Sequence, residues 1–257
     1  MSLQANIHEN AKLGEGTIVE AFATIYDDVV IGKNCWIGPN AVIMAGTRIG
    51  DNCKVFPGAV VGAIPQDLKF DGEYTTTEIG NNVTIRECVT INRGTKDRDK
   101  TEVGDNCLLM AYVHLAHDCK VGNNCVIANA VNIAGHVTIG DWVIIEGMAA
   151  IQQFVSIGDH SFIAGGSMVR KNVPPFVKAA REPVSYVGVN SIGLRRRGYS
   201  DQQIINIEDI YRIIYVQNSN MTTAMKIVDL ELPITDEKNK ILSFIKNSTK
   251  GIMRGLS

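Results

Sequence analysis

No two of the six cysteines are spaced C-x-x-C, which argues against a zinc ribbon or a thioredoxin-like motif. No apolar run approaches the roughly 20 residues needed to span a bilayer. The opening "MSLQANIHENAKLGEG" lacks a charged region followed by an apolar stretch, so no signal peptide is read there and the expected compartment is the cytoplasm. Charge is nearly balanced, with 25 basic and 27 acidic residues, and this gives no basic field for nucleic acid. Aromatics make up only 6% of the 257 residues, a chain long enough for one large domain or a large and a small one.

What the sequence does have is a beat of six. Ten blocks run without a slip from Ile7 to Gln66, three from Ile79 to Lys96 and twelve from Val103 to Pro174. Every block opens on Ile, Leu or Val, and its fifth position holds only Ala, Thr, Val, Cys, Ser or Pro. The fifth position and the next block's first are two residues apart, so on a strand they face the same side. Gly at position two and Asn at position four, as in "IGKN", "IGDN" and "VGNN", tolerate positive φ and read as corners. Strand and corner in alternation make a β-helix with flat faces. Three blocks close one triangular coil, and about eight coils stack into a prism on the order of 40 Å long. Cys35, Cys53, Cys107, Cys119 and Cys125 all occupy position five and read as small core groups.

Two polar segments, about 67–78 and 97–102, leave the beat and are expected to be loops thrown out from the prism, where function tends to sit. The repeat stops at "VPPF". The expected domains are therefore a β-helix over 1–174 and, over 175–257, a connecting segment with a small helical domain. Ser200 is placed to cap a helix over "DQQIINIEDIYRIIYVQ", a second helix runs from about Thr222 to Leu230, and Thr235 caps a third.

Three of five histidines fall in "AYVHLAHDCKVGNNCVIANAVNIAGHVTIG". His117, Gly135 and Gln153 follow one another at 18-residue steps and should share one edge. His136 lies one coil from Asp118, and His114, at position six, points outward. His8 and His160 stand alone and read as decoration of solvated corners. Zinc through three histidines on such a scaffold is the rival for the trio, but H-x-x-H with a third His 19 residues on is not the usual spacing, and no metal or cofactor is expected. A metal-free His suits general-base work near neutral pH. Asp118 can orient it only if the backbone turns a corner between them. A free N–H at Gly135 would bind an oxyanion. Base plus oxyanion donor, with no Ser or Cys in a nucleophile motif, points to direct acyl transfer.

The stretches "QDLKF", "TINRGT", "NCLLMAYVHLAHDC", "IAGHVTIGD", "QQFVSIG", "VPPF" and "GVNSIGLRRRG" resemble the UDP-N-acetylglucosamine acyltransferases, which act first in lipid A synthesis. The resemblance implies a left-handed parallel β-helix, a homotrimer with sites between subunits, a (3-hydroxy)acyl donor on acyl carrier protein, and the glucosamine 3-hydroxyl of UDP-N-acetylglucosamine as acceptor. It implies His117 as base, Asp118 as its partner and Gly135 as oxyanion donor. Asp67, Lys69, His114, His136, Gln153, Asn190, Arg196 and Arg197 take substrate contacts, and Gly165 sets acyl length, a glycine leaving room for a long chain. Arg195, Arg196, Arg197, Arg170 and Lys171 would also attract an acidic carrier protein. Asn92, Gln152 and Ile192 depart from the family pattern. Two alternatives are weighed: the N-acyltransferase that acts later in the pathway, usually with an extra N-terminal domain where the present repeat begins at residue 7, and a zinc hydratase.

Overall fold

The computed structural model describes residues 2, 4–217 and 220–255. The ends of the two expected domains (1, 3, 256 and 257) and residues 218 and 219 lie outside the described residues. Most repeat blocks form a two-residue strand from position six to the next position one, such as Thr24–Ile25 or Val126–Ile127, and the strands beside the two interruptions lengthen to three or four residues. The strands sort into three parallel sheets of nine, eight and ten members, the last closed by one antiparallel pair. Partners such as Ile25 and Ile43 are 18 positions apart. Around the two interruptions the step lengthens but the phase survives: Val61 pairs with Ile91, and Ile91 with Leu115. The inward positions make one continuous apolar core, with Ile43, Val61, Ile91, Leu115 and Ile133 all fully buried.

The polar interruptions lie three to four residues nearer the N-terminus than the sequence suggests. Strands resume at Thr76 and at Lys100, because Thr77, Ile79, Thr101 and Val103 already face inward and pair with the neighbouring coils. The residues outside strands are therefore 64–75 and 93–99.

The corners also need one correction. Position four does take positive φ, at Asn34, Asn52, Asn82, Asn106 and Asn124, and equally at Phe22, Trp142 and Met148. Position two does not, except at Gly62 beside the first loop, where φ is 86°. Its glycines stack in a column where any Cβ would strike the next coil: on Gly104 it would lie 2.8 Å from the carbonyl of Gly122. Close approach, not left-handed backbone, requires glycine there. Gly104→Ala is expected to lower stability by about 1–3 kcal/mol, as overpacking does. Chemical denaturation would read this as a lower midpoint, and an unchanged midpoint contradicts the close-approach account.

Beside that column runs a ladder of side-chain caps. Position-three N–H groups donate to the Asp or Asn one coil on: Asp51 to Asn81 at 2.8 Å, Asp105 to Asn123 at 2.8 Å and Asn123 to Asp141 at 2.7 Å. The core cysteines serve a related need. The thiols of Cys35, Cys53, Cys107, Cys119 and Cys125 each donate at 3.1 Å to a carbonyl of the following coil. All six cysteines are free, and Cys88, at a corner, is exposed.

Past the prism, the expected connecting segment contains a hairpin of Val177–Ala180 and Ser185–Val189 and a short helix, α1, over Ser191–Arg196. The hairpin was not legible because it extends the sheet without the six-residue beat. Helix α2, Asp201–Arg212, opens on a capping box of Ser200 and Gln203 and runs into a π turn over Ile213–Gln217. Helices α3, Met221–Glu231, and α4, Asp236–Lys246, are capped by Asn220 and Thr235. Tyr211 donates to the Pro175 carbonyl at 2.6 Å, Lys240 pairs with Asp159 at 2.5 Å, and Lys250 donates to the Gln153 carbonyl at 2.6 Å. These contacts fasten the helical part to the end of the prism.

Candidate active site

His117, Gly135 and Gln153 line one cavity of about 760 Å³ together with Asp67, Lys69 and His114. The 18-residue coil puts the first three on one edge, and the first loop arches Asp67 and Lys69 over them. A second hollow of about 650 Å³ shares Asp67, Lys69 and Gln153 and adds His136, Asp97 and Phe154. His114 sits half-buried on its strand, its Nδ1 2.8 Å from the Thr90 hydroxyl, and burial holds its pKa below the ordinary value.

The backbone does turn a corner at Asp118, which has φ 58°. This swings its carboxylate back onto its neighbour, and His117 Nδ1 lies 2.8 Å from Asp118 Oδ2. Nδ1 is then the protonated nitrogen, which leaves Nε2 with a lone pair. Asp118 is fully buried and also accepts from the Thr95 amide at 2.9 Å and the Thr95 hydroxyl at 2.7 Å. Burial works to raise its pKa, but the hydrogen bonds from His117 and Thr95 outweigh it, and the carboxyl is held below its usual range.

The edge on which Gly135 sits has no capping ladder. Among the described residues the Gly135 N–H donates to no protein acceptor, and the residue one coil on is Gln153 rather than an Asp or Asn. Its bare Cα lies against the His117 ring: a methyl group there would be 2.7 Å from both Cε1 and Nε2. An unpaired N–H beside a basic nitrogen can stabilise an oxyanion formed next to it.

His136 packs edge-on to His117, with ring centroids 5.0 Å apart, and stacks on Phe154 at 4.6 Å. Its Nε2 is 3.6 Å from Asp118 and its Nδ1 is 3.0 Å from Asp97, though the latter is not aligned as a hydrogen bond. His117, Asp118 and His136 could offer three ligand atoms within 4.8 Å of one another. That set has two histidines and a carboxylate already engaged by Thr95, unlike the three-histidine zinc site weighed from sequence.

Residues 172–253 match the family described as UDP N-acetylglucosamine O-acyltransferase, domain 2, and residues 28–63 and 100–135 match bacterial transferase hexapeptide repeats. An acyl-[acyl-carrier-protein]–UDP-N-acetylglucosamine O-acyltransferase of Trichlorobacter lovleyi is 49% identical over 261 residues, covering 99% of this chain and 100% of its own length. The chain belongs to this family. A relative of the same name from Aquifex aeolicus is 60% identical over 195 residues, 76% of this chain and 75% of its own. The crystal structure of a UDP-N-acetylglucosamine acyltransferase from Bacteroides fragilis superposes with a TM-score of 0.96 at 48% identity, covering 99% of this chain and 100% of that one. The protein is an acyltransferase on a hexapeptide β-helix, and no helix among the described residues is long and apolar enough to cross a membrane.

Four expected site residues lie away from the His117 edge. Gly165 is exposed on a neighbouring edge, where its N–H donates to Glu146 at 3.0 Å. Asn190 is buried, caps α1 and donates to the His160 carbonyl at 2.9 Å. Arg197 lies over the Trp142 ring at 5.4 Å, and Arg196 is exposed on α1. Of the departures from the family pattern, Asn92 is buried and braces the root of the first loop by donating to the Ile64 carbonyl at 2.9 Å, while Gln152 and Ile192 are exposed.

His160 was expected to decorate a solvated corner, and it does not. It is 9% exposed, stacks on Phe176 at 5.5 Å and meets the Tyr199 hydroxyl at 3.2 Å. Burial and then Arg197 push its pKa down to about 4. Phe176, Arg197 and Tyr199, which flank the hairpin and α1, cover this corner, and the repeat alone gave no sign of them. His8 is exposed as expected. Thr95, Asp97 and Phe154 went unnoticed as site residues; the one signal was that Thr95 closes "TINRGT" at the lip of the second loop.

Proposed function

We propose that the protein transfers a long (3-hydroxy)acyl chain from acyl carrier protein to the glucosamine 3-hydroxyl of UDP-N-acetylglucosamine, the first step of lipid A synthesis. The observation that carries this reading is the His117–Asp118 pair facing the open Gly135 N–H, in a member of this family. His117 Nε2 takes the proton of the 3-hydroxyl as its oxygen bonds to the thioester carbonyl carbon. The resulting oxyanion is held by the Gly135 N–H. Its collapse breaks the carbon–sulfur bond, and the leaving thiolate takes the proton back from the imidazolium. Asp118 fixes the tautomer and favours the imidazolium.

Asp67, Lys69, His114, His136 and Gln153 ring the base and contact the sugar and donor. Asn190, Arg196, Arg197 and Gly165 reach a site only if a neighbouring subunit supplies them, which is the role of a homotrimer. Exposed Phe22, Tyr112 and Met148, on the edge that carries Gly165, support a subunit contact there. Residues 1–174 form the catalytic prism in this reading and residues 175–257 the part that meets nucleotide and carrier protein. Six free thiols suit a reducing compartment, the cytoplasm.

Gly165 sets the acyl groove. A side chain built there passes the Gly147 carbonyl at 3.2 Å and otherwise meets little beyond Glu146, so it would project into open space. The test is turnover with carrier protein loaded with chains of several lengths. Long chains are expected to be preferred, and Gly165→Met is expected to move the preference to shorter ones. Preference for a ten-carbon donor over longer ones would refute the long groove, and no transfer from any donor would refute the function.

A further inference from the structure

The turn at 95–99 holds the catalytic carboxylate in a way no other coil repeats. Two of its amides, Thr95 at 2.9 Å and Arg98 at 3.3 Å, donate to Asp118 Oδ1. The Thr95 hydroxyl donates to Oδ2 at 2.7 Å, beside the His117 bond at 2.8 Å. The Arg98 guanidinium donates to the Asp118 backbone carbonyl at 2.9 Å, which fixes the corner itself. An amide from Asp99 to the Thr95 carbonyl at 2.8 Å closes the turn.

Thr95 occupies position five of its block, where every other residue but one Pro is small and faces the core. Among the other buried threonines, the hydroxyls of Thr75, Thr77 and Thr101 have no partner, and that of Thr47 donates only to backbone carbonyls. Burial alone therefore does not explain the two bonds from one threonine to one carboxylate. We propose that Thr95 is a positioning residue: it locks the Asp118 carboxylate so that Oδ2 meets His117 Nδ1, and it makes the second extruded turn part of the machinery of the base.

This inference rests on His117 acting as the base. Without the Thr95 hydroxyl, Oδ2 keeps only His117 and the more distant His136 Nε2 at 3.6 Å. The carboxylate can then rotate toward the Thr95 and Arg98 amides on Oδ1, and the imidazole loses its fixed orientation. In those molecules where the pair stays made, the charge on Oδ2 falls on His117 alone and stabilises the imidazolium. Both effects act on turnover rather than on sugar binding. The charged and titratable groups facing Asp118 are His117, His136, Arg98 and Cys119, with Asp97 beyond His136.

The experiment compares Thr95→Val, which keeps the shape, with Thr95→Ser, which keeps the hydroxyl, using UDP-N-acetylglucosamine and acyl carrier protein. Thr95→Val is expected to lower kcat about tenfold, part of the 10²- to 10⁴-fold a positioned base supplies. KM for the sugar should stay near wild type, and the acidic limb of the kcat profile should move to higher pH. Thr95→Ser is expected to restore both kcat and the limb. Wild-type kcat and profile in Thr95→Val overturns the proposal. So does equal damage in both variants, which would mark a packing role. His117→Ala in the same assay separates the two readings: if it stays active, the base assignment fails, and if only Thr95→Val is silent, the positioning role alone fails.

Discussion

Replacing His117 with alanine is expected to cut turnover at least about 100-fold, the lower end of what a positioned general base contributes. The substitution removes Nε2, whose lone pair is exposed because Nδ1 is committed to Asp118 at 2.8 Å. No nearby group replaces it. His136 is turned edge-on with its Nε2 toward Asp118, and His114 Nδ1 is engaged with Thr90. Sugar affinity should change little, since Asp67, Lys69 and Gln153 remain in place around the cavity. The loss therefore belongs in kcat rather than in KM. Steady-state kinetics with saturating acyl carrier protein reads it directly, and retention of wild-type kcat would remove His117 from the chemistry.

Gly135→Ala is the second large effect, expected to cost about 100-fold or more in kcat from a single methyl group. That methyl would stand 2.7 Å from His117 Nε2 and Cε1. The ring cannot retreat without breaking its bond to a carboxylate that is itself pinned by Thr95. Displacing the base and crowding the unpaired Gly135 amide beside it removes two contributions together, and losing one oxyanion donor alone costs about 10²- to 10³-fold. The prism should stay folded, with a stability change within the roughly 1–3 kcal/mol of local overpacking. Kinetics paired with a denaturation midpoint distinguishes this from unfolding. An active Gly135→Ala enzyme would show that neither the close approach nor the amide matters.

The prism was legible because its determinants are local and repeated. An aliphatic residue every six positions, with a small residue two before it, specifies one inward face per strand, and 18 residues specify a coil. The same arithmetic places His117, Gly135 and Gln153 on one edge without any long-range information. It fails where the beat stops. The hairpin at 177–189 is tied into the sheet by pairing with Phe162–Ile163, which no periodicity announces. His160 read as solvent-exposed because its cover, Phe176 and Tyr199, comes from residues past the repeat, just before the hairpin and just after α1. Apart from Gly62, the position-two glycines answer to contact with the next coil rather than to positive φ, and that contact is invisible in a single block. Thr95 escaped because its partner is a carboxylate one coil away, across a loop whose length hides the register.

The measurement closest to the central claim is made on the reaction mixture. The protein is mixed with acyl carrier protein carrying a long 3-hydroxyacyl chain, first without and then with UDP-N-acetylglucosamine. Intact protein mass and the position of any new ester on the sugar are then determined. Direct attack by the sugar, with His117 as base, predicts an unmodified protein in both mixtures and an ester on the glucosamine 3-oxygen only when the sugar is present. An acylated protein formed without the sugar, or an amide in place of the ester, would contradict it.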